Sequence, residues 1–232
     1  HLLPKETKWG SPAFDTAAAG SDTLVVETVI DEGNPPALLG ELTKVAISPG
    51  LPPLLDRVPA DKRDALATML AKSGIPAQAF DRFETWAAAF MLLGVHFQSL
   101  GLDSASGVET VLKKQFKDGG KTIGQLETNA EQLGFFDRLS EEAQRKFLVS
   151  VLDDPSAMKK QFGGMLDAWS RGDVKAIGDS FNDELDEEPE LEQALLFNRN
   201  ANWAKWVKGR LDQPGTVLVA VGAGHLAGEQ SV

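Results

Sequence analysis

Cysteine is absent from this 232-residue sequence, and histidine occurs only three times. The first absence excludes disulfides, thiol nucleophiles and thiolate metal sites. It permits an oxidising compartment without indicating one. Any metal site must therefore draw on His, Asp, Glu or carbonyl oxygen, and the imidazoles on offer are His1, His96 and His225. Positive charge is also scarce: Lys plus Arg number 23 against 34 Asp plus Glu, a formal net charge of −11. A surface of that sign repels a phosphate backbone, so no nucleic-acid partner is expected. No apolar run reaches the length of a membrane span. The longest, WAAAFMLLGVHFQSLGL at 86–102, carries His96, Gln98 and Ser99 and reads as a buried helix. A P-loop, a dinucleotide glycine fingerprint, HExxH and GxSxG are all missing.

Three runs read as strands. TLVVETVI (23–30) is rich in β-branched residues, KTIGQLE (121–127) follows a DGG turn, and TVLVAVG (216–222) follows QPG. Their continuous apolar character predicts strands covered on both faces, as in a parallel or mixed sheet under helices. Between them lie helical patterns: SPAFDTAAAG with a Ser-Pro start, PADKRDALATMLAKSG (59–74), the long stretch 76–102, ASGVETVLKKQFKDGG, LSEEAQRKFLVSVLDD, PSAMKKQFGGMLDAWSRGD and 191–212. The expectation is an α/β chain, α+β by content: a small central mixed or parallel sheet with a large, mostly helical middle section. Residues 1–232 read as one domain, with 183–192 an acidic surface turn rather than a linker.

Open α/β sheets bind ligands at the strand ends, so polar residues there carry the functional question. Glu27 interrupts the first run, Glu127 closes the second, and His225 follows the third in VGAGHLAGEQSV (221–232). An ionised group in an apolar setting is costly unless it is paired, hydrogen-bonded or metal-bound. Each glutamate alone is more often an ion-pair or helix-capping residue than a catalytic group; the three together suggest a site. Gly222 and Gly224 are expected to allow positive φ and close backbone approach, aiming His225 back over the strand ends. Imidazole suits Zn²⁺, Mn²⁺ and related ions, and it is also the usual general base near neutral pH.

Taken in order, HLLP, the W-x-S-P-A segment, LVVE, GLD…GVE, IGQLET with EQL following, W-x-x-GD, a helical RN and VGAGHLAGE resemble the TraB/GumN family, in its GumN-like bacterial branch. That family includes the Tiki-type metalloproteases and is distantly similar to erythromycin-esterase-like proteins. The resemblance implies a divalent-metal hydrolase, peptidase-like, with Zn, Mn or Co as the ion. His1 would be the histidine of a first GxxH motif and His225 that of the second; with Glu27 they would be the metal ligands. Glu27, Glu127 and Arg199 would be catalytic, and Arg199 with Asn200 would bind substrate, a peptide or a small molecule. For Arg199, a plain salt bridge to Glu27 or Glu127 stands as the alternative.

Two other functions stay open: metal-free hydrolysis with histidine as base, and a non-enzymatic protein that sequesters a peptide or signal. The resemblance also implies further strands beyond both ends of this sequence. Beginning on His rather than Met, the chain is expected to have had a preceding segment. A periplasmic or membrane-anchored extracytoplasmic location is expected, with the cytoplasm also open. His96 reads as a packed or surface histidine, Trp203 and Trp206 as core, Lys113-Lys114 as a solvated face, and Asp103 with Glu109 as helix-capping residues bordering the site.

Overall fold

A computed structural model of the chain describes residues 2–5, 7–29, 40, 43–152, 155–185 and 188–232. The described residues fall into two compact units. The first takes in those within 1–29, 101–129 and 164–232; the second takes in those within 30–100 and 130–163.

The first unit is built on a parallel sheet. Its strands are β2 (Thr23–Val26), β4 (Thr122–Gln125) and β5 (Val217–Ala220), in the order β4-β2-β5. Thr23 lies opposite Thr122 and Val217, and Val26 opposite Gln125 and Ala220, so all three carboxyl ends finish level. The chain is thus α/β, and every strand foreseen in this sheet is present, each shortened to four residues. Only the central strand is covered as the apolar runs suggested: Leu24, Val25 and Val26 are buried, whereas β4 and β5 are half-buried or exposed edges. A three-stranded sheet has two edges, and here they are β4 and β5. A second ladder that the sequence did not announce pairs β1 (Leu3–Pro4) with β3 (Leu102–Asp103) antiparallel.

Local chemistry sets the boundaries. Helix Pro12–Gly20 starts where the Ser11 hydroxyl accepts the Phe14 amide at 3.2 Å, with proline in its first turn. At its far end the Lys121 ammonium donates to the carbonyls of Ala19 and Ser21, both at 2.7 Å. That places a cation on the negative end of the helix dipole. Gly120 and Gly215 take positive φ (65° and 90°) in the turns that lead into β4 and β5. Leu24 and Val26 pack with Ala18, Leu112 and Phe116, which joins the sheet to helices Pro12–Gly20 and Val108–Asp118. The N-cap position of the latter helix is Gly107, and Glu109 lies in its first turn, at the positive end of the helix dipole.

The second unit is helical, with Arg63–Lys72, Ala77–Phe80, Thr85–Ser99 and Glu141–Ser150 around Leu54, Leu66, Phe80, Leu92 and Leu148. Arg57 is buried in it and donates to the carbonyls of Pro52, Asp81 and Phe83 at 2.6–2.8 Å. Burial lowers its guanidinium from the ordinary value, and Glu141, Asp81 and Glu84 oppose that shift. His96 is buried too, and its Nε2 lies 3.0 Å from the Val151 carbonyl. A carbonyl can only accept, so that nitrogen carries a proton. No helix among the described residues is long and apolar enough to cross a membrane.

Candidate functional site

Just past the carboxyl ends of the parallel strands, five polar side chains are packed together: Glu27, Glu127, Arg199, Asn200 and His225, each no more than 8% exposed. Pairing continues beyond the regular ladder to bring the glutamates together. The Leu126 amide donates to the Val26 carbonyl at 2.9 Å, and the Glu127 amide to the Glu27 carbonyl at 3.0 Å. Arg199 and Asn200 come from the start of the helix Asn198–Leu211, directly after a π-helical segment, Gln193–Phe197. His225 sits in a 3₁₀ turn, Ala223–Leu226, following β5.

Arg199 is the hub. Its Nη2 donates to Glu27 Oε2 at 2.7 Å and also to Glu127 Oε1. Its Nε reaches the two oxygens of Glu127 at 3.0 and 3.2 Å. Its Nη1 donates to the Leu195 carbonyl of the π segment at 3.2 Å and lies 3.1 Å from His225 Nε2. A guanidinium has only donors, so Nε2 of His225 must be the acceptor and carries no proton. The other ring nitrogen, Nδ1, lies 2.6 Å from Asn200 Oδ1 and must then be the donor. Asn200 in turn donates from Nδ2 to the Gln230 carbonyl at 2.7 Å, which fixes its amide orientation. The chain of donors runs one way throughout, and His225 is the neutral Nδ1–H tautomer with its Nε2 lone pair turned to Arg199 and the carboxylates.

Gly222 supplies the close approach expected of it. Its amide donates to Glu27 Oε1 at 2.7 Å, and a Cβ at that position would lie 3.2 Å from the same oxygen. The expectation of positive φ fails: Gly222 has φ −57° and ψ 140°, and Gly224 is not among the positive-φ residues. The 3₁₀ turn closes with ordinary backbone angles, through the His225 amide donating to the Gly222 carbonyl at 3.0 Å. Room, not handedness, is what glycine provides here.

The structure therefore brings Glu27, Glu127, Arg199, Asn200 and His225 into one cluster, and the salt bridge foreseen for Arg199 to Glu27 or Glu127 is made to both. His1 lies outside the described residues. Trp203 belongs to the site although its spacing suggested plain core. Its ring lies 4.7 Å from the Arg199 guanidinium carbon and 4.4 Å from the His225 ring. The signal was present in the sequence, since positions 199 and 203 are one helical turn apart and face the same way. Among the described residues, no three His, Asp or Glu side chains gather as a metal-holding group. The guanidinium of Arg199 lies among the donors instead.

A parallel sheet with a buried ionic cluster at its carboxyl ends defines an α/β protein with a polar centre built from distant segments of chain. The chain belongs to the TraB/PrgY/gumN family, whose profile matches residues 1–232. It is 24% identical over 217 residues to "Uncharacterized protein YbaP" of Escherichia coli (strain K12), covering 90% of this chain and 74% of that protein. The protein of the same name from Shigella flexneri matches with the same identity and coverage. No solved structure matches.

Proposed function

We propose that the cluster is the catalytic centre of a hydrolase that cleaves peptide-type carbonyl substrates with the help of a divalent metal ion. The observation that carries this reading is the orientation of His225. Asn200 holds its Nδ1–H, and so turns an unprotonated Nε2 inward beside two carboxylates. This is the arrangement in which a histidine serves as a metal ligand or a general base, with its tautomer set by a partner on the far nitrogen.

The donor types suit a divalent ion: Glu27, Glu127 and His225 offer two carboxylates and one imidazole, a set that leaves positions open for water and substrate. Such an ion, when bound, polarises the carbonyl under attack and lowers the pKa of water toward about 7. The chain's own residues do the rest. Asn200 fixes the imidazole, Gly222 holds Glu27 through its amide, and burial of the cluster strengthens each of these bonds. In the described arrangement Arg199 and Asn200 spend their donors inside the cluster. The proposed substrate-binding role therefore requires one of those bonds to be exchanged for a bond to substrate.

One observation favours a second reading. Arg199 already supplies positive charge between the carboxylates and the imidazole, so once Nη1 withdraws from Nε2, His225 serves as base without a metal. The test is cleavage of a mixed peptide and ester panel by the full chain, before and after chelation, with His225→Ala alongside. Loss on chelation with recovery on adding Mn²⁺, Co²⁺ or Zn²⁺ supports the first reading. Activity that survives chelation supports the second. Absence of cleavage under every condition sinks both and leaves sequestration of a peptide. We further propose that the protein works outside the cytoplasm, periplasmic or membrane-anchored, a reading drawn from the family resemblance. Cell fractionation with a cytoplasmic marker tests it.

A further inference from the structure

A guanidinium has five N–H groups, and the bonds of Arg199 use all of them. Nε serves Glu127, Nη2 serves Glu27 and Glu127, and Nη1 serves Leu195 and His225. Three of those four partners are the same groups that would hold a divalent ion. A buried carboxylate stripped of its partner is strongly unfavourable. Withdrawing Arg199 from all three of these groups at once therefore calls for another cation in its place.

We infer that Arg199 is an internal stand-in cation: it keeps the donor set of Glu27, Glu127 and His225 closed, and a divalent ion is admitted only in exchange for the guanidinium. The inference rests on the donor set proposed above and not on the substrate. For His225 Nε2 to face an ion, Nη1 must withdraw, and at least one carboxylate must turn from Arg199 as well. The route of withdrawal has a built-in reporter. The guanidinium is stacked against Trp203, whose ring also meets His225, so exchange changes the surroundings of that indole. Metal affinity in this chain is then set by competition. Arg199 lowers it, although a basic residue at that point is also what keeps the buried carboxylates paired.

The test uses the full chain, freed of metal and titrated with Mn²⁺, Co²⁺ and Zn²⁺ by calorimetry while tryptophan emission is followed. Arg199→Gln is expected to bind at least about tenfold more tightly than the native chain, because the competing cation is gone. Binding to the native chain should change tryptophan emission, and Trp203→Phe should abolish that change. In the Arg199→Gln background, His225→Ala should abolish tight binding.

Equal or weaker binding by Arg199→Gln overturns the inference. So does affinity indifferent to His225→Ala, which would assign the ions to the acidic surface. Should Arg199→Gln be unfolded without metal, recovery of its circular dichroism on adding the ion counts for the inference. Failure to recover moves the decision to Arg199→Lys, which keeps the charge but cannot fork. That variant must bind more tightly than the native chain, or the inference falls. No turnover is read in any arm: a chain that exchanges Arg199 for an ion yet cleaves nothing sinks the hydrolase and leaves this inference standing.

Discussion

Glu27 and Glu127 stand shoulder to shoulder: the amide of Glu127 donates to the carbonyl of Glu27 at 3.0 Å, and both carboxylates turn to the one guanidinium of Arg199. Two like charges this close stay buried only because a cation is shared between them. Glu127 holds the larger share, receiving both Nε and Nη2. Glu127→Gln removes that charge with little change in shape and should cost about 3–5 kcal/mol of stability, the usual penalty for breaking a buried pair. Urea unfolding followed by circular dichroism measures it. A loss under about 1 kcal/mol would mean that Arg199 is held by its other partners.

Asn200 governs the protonation pattern of His225. Asn200→Ala leaves Nδ1–H and the Gln230 carbonyl without this partner and should cost about 1–3 kcal/mol. The more specific readout is nitrogen NMR of the labelled imidazole. The native ring should show a protonated Nδ1 and an unprotonated Nε2, and the variant should lose that preference. A native ring protonated on Nε2 would contradict the donor order described above.

Two glycines should respond in opposite directions. A methyl at Gly222 would press on Glu27 Oε1 at 3.2 Å, and that oxygen belongs to a carboxylate already tied to Arg199. Gly222→Ala should therefore destabilise by about 1–3 kcal/mol. Gly94, inside the helix Thr85–Ser99, has nothing within 4 Å of a Cβ, and Gly94→Ala should stabilise by about 0.5–1 kcal/mol. Thermal melts of the pair check both signs.

Arg57 should matter as much to the second unit as Arg199 does to the first. Arg57→Met keeps much of the bulk but orphans the carbonyls of Pro52, Asp81 and Phe83, and should cost more than about 3 kcal/mol. Hydrogen exchange is the discriminating measurement: protection should fall in residues 54–99. Unchanged protection there would show that water replaces the guanidinium without loss.

The sheet was legible because its signal is local. Apolar β-branched runs after glycine turns mark β2, β4 and β5, and polar residues just beyond them marked Glu27, Glu127 and His225. Edge exposure was not legible, since the number of strands beside each run is a property of the assembled sheet. The β1–β3 ladder was missed because two-residue strands, Leu3–Pro4 and Leu102–Asp103, have no periodicity to read. At Gly222 the residue type pointed to the correct place for the wrong reason. Close approach and positive φ both call for glycine, and the sequence does not say which is needed. Arg199 was recognised through the RN pair, but its role as hub depends on a π segment whose Leu195 carbonyl meets the side chain, and nothing in QALLF announces that. Trp203 reads as core in the sequence because aromatic residues on a helix are core far more often than they are part of a site.

The register of the sheet has a kinetic consequence. Its central strand is made first, yet Thr23–Val26 finds its neighbours only at 122–125 and 217–220. Such distant pairings require long loops to close before any of them is rewarded, which slows folding. During synthesis Glu27 and Glu127 emerge well before Arg199 and His225. The two carboxylates then have no internal cation and favour water over the core. The centre can be completed only once Arg199 has followed them out, because that residue supplies the cation both buried carboxylates share.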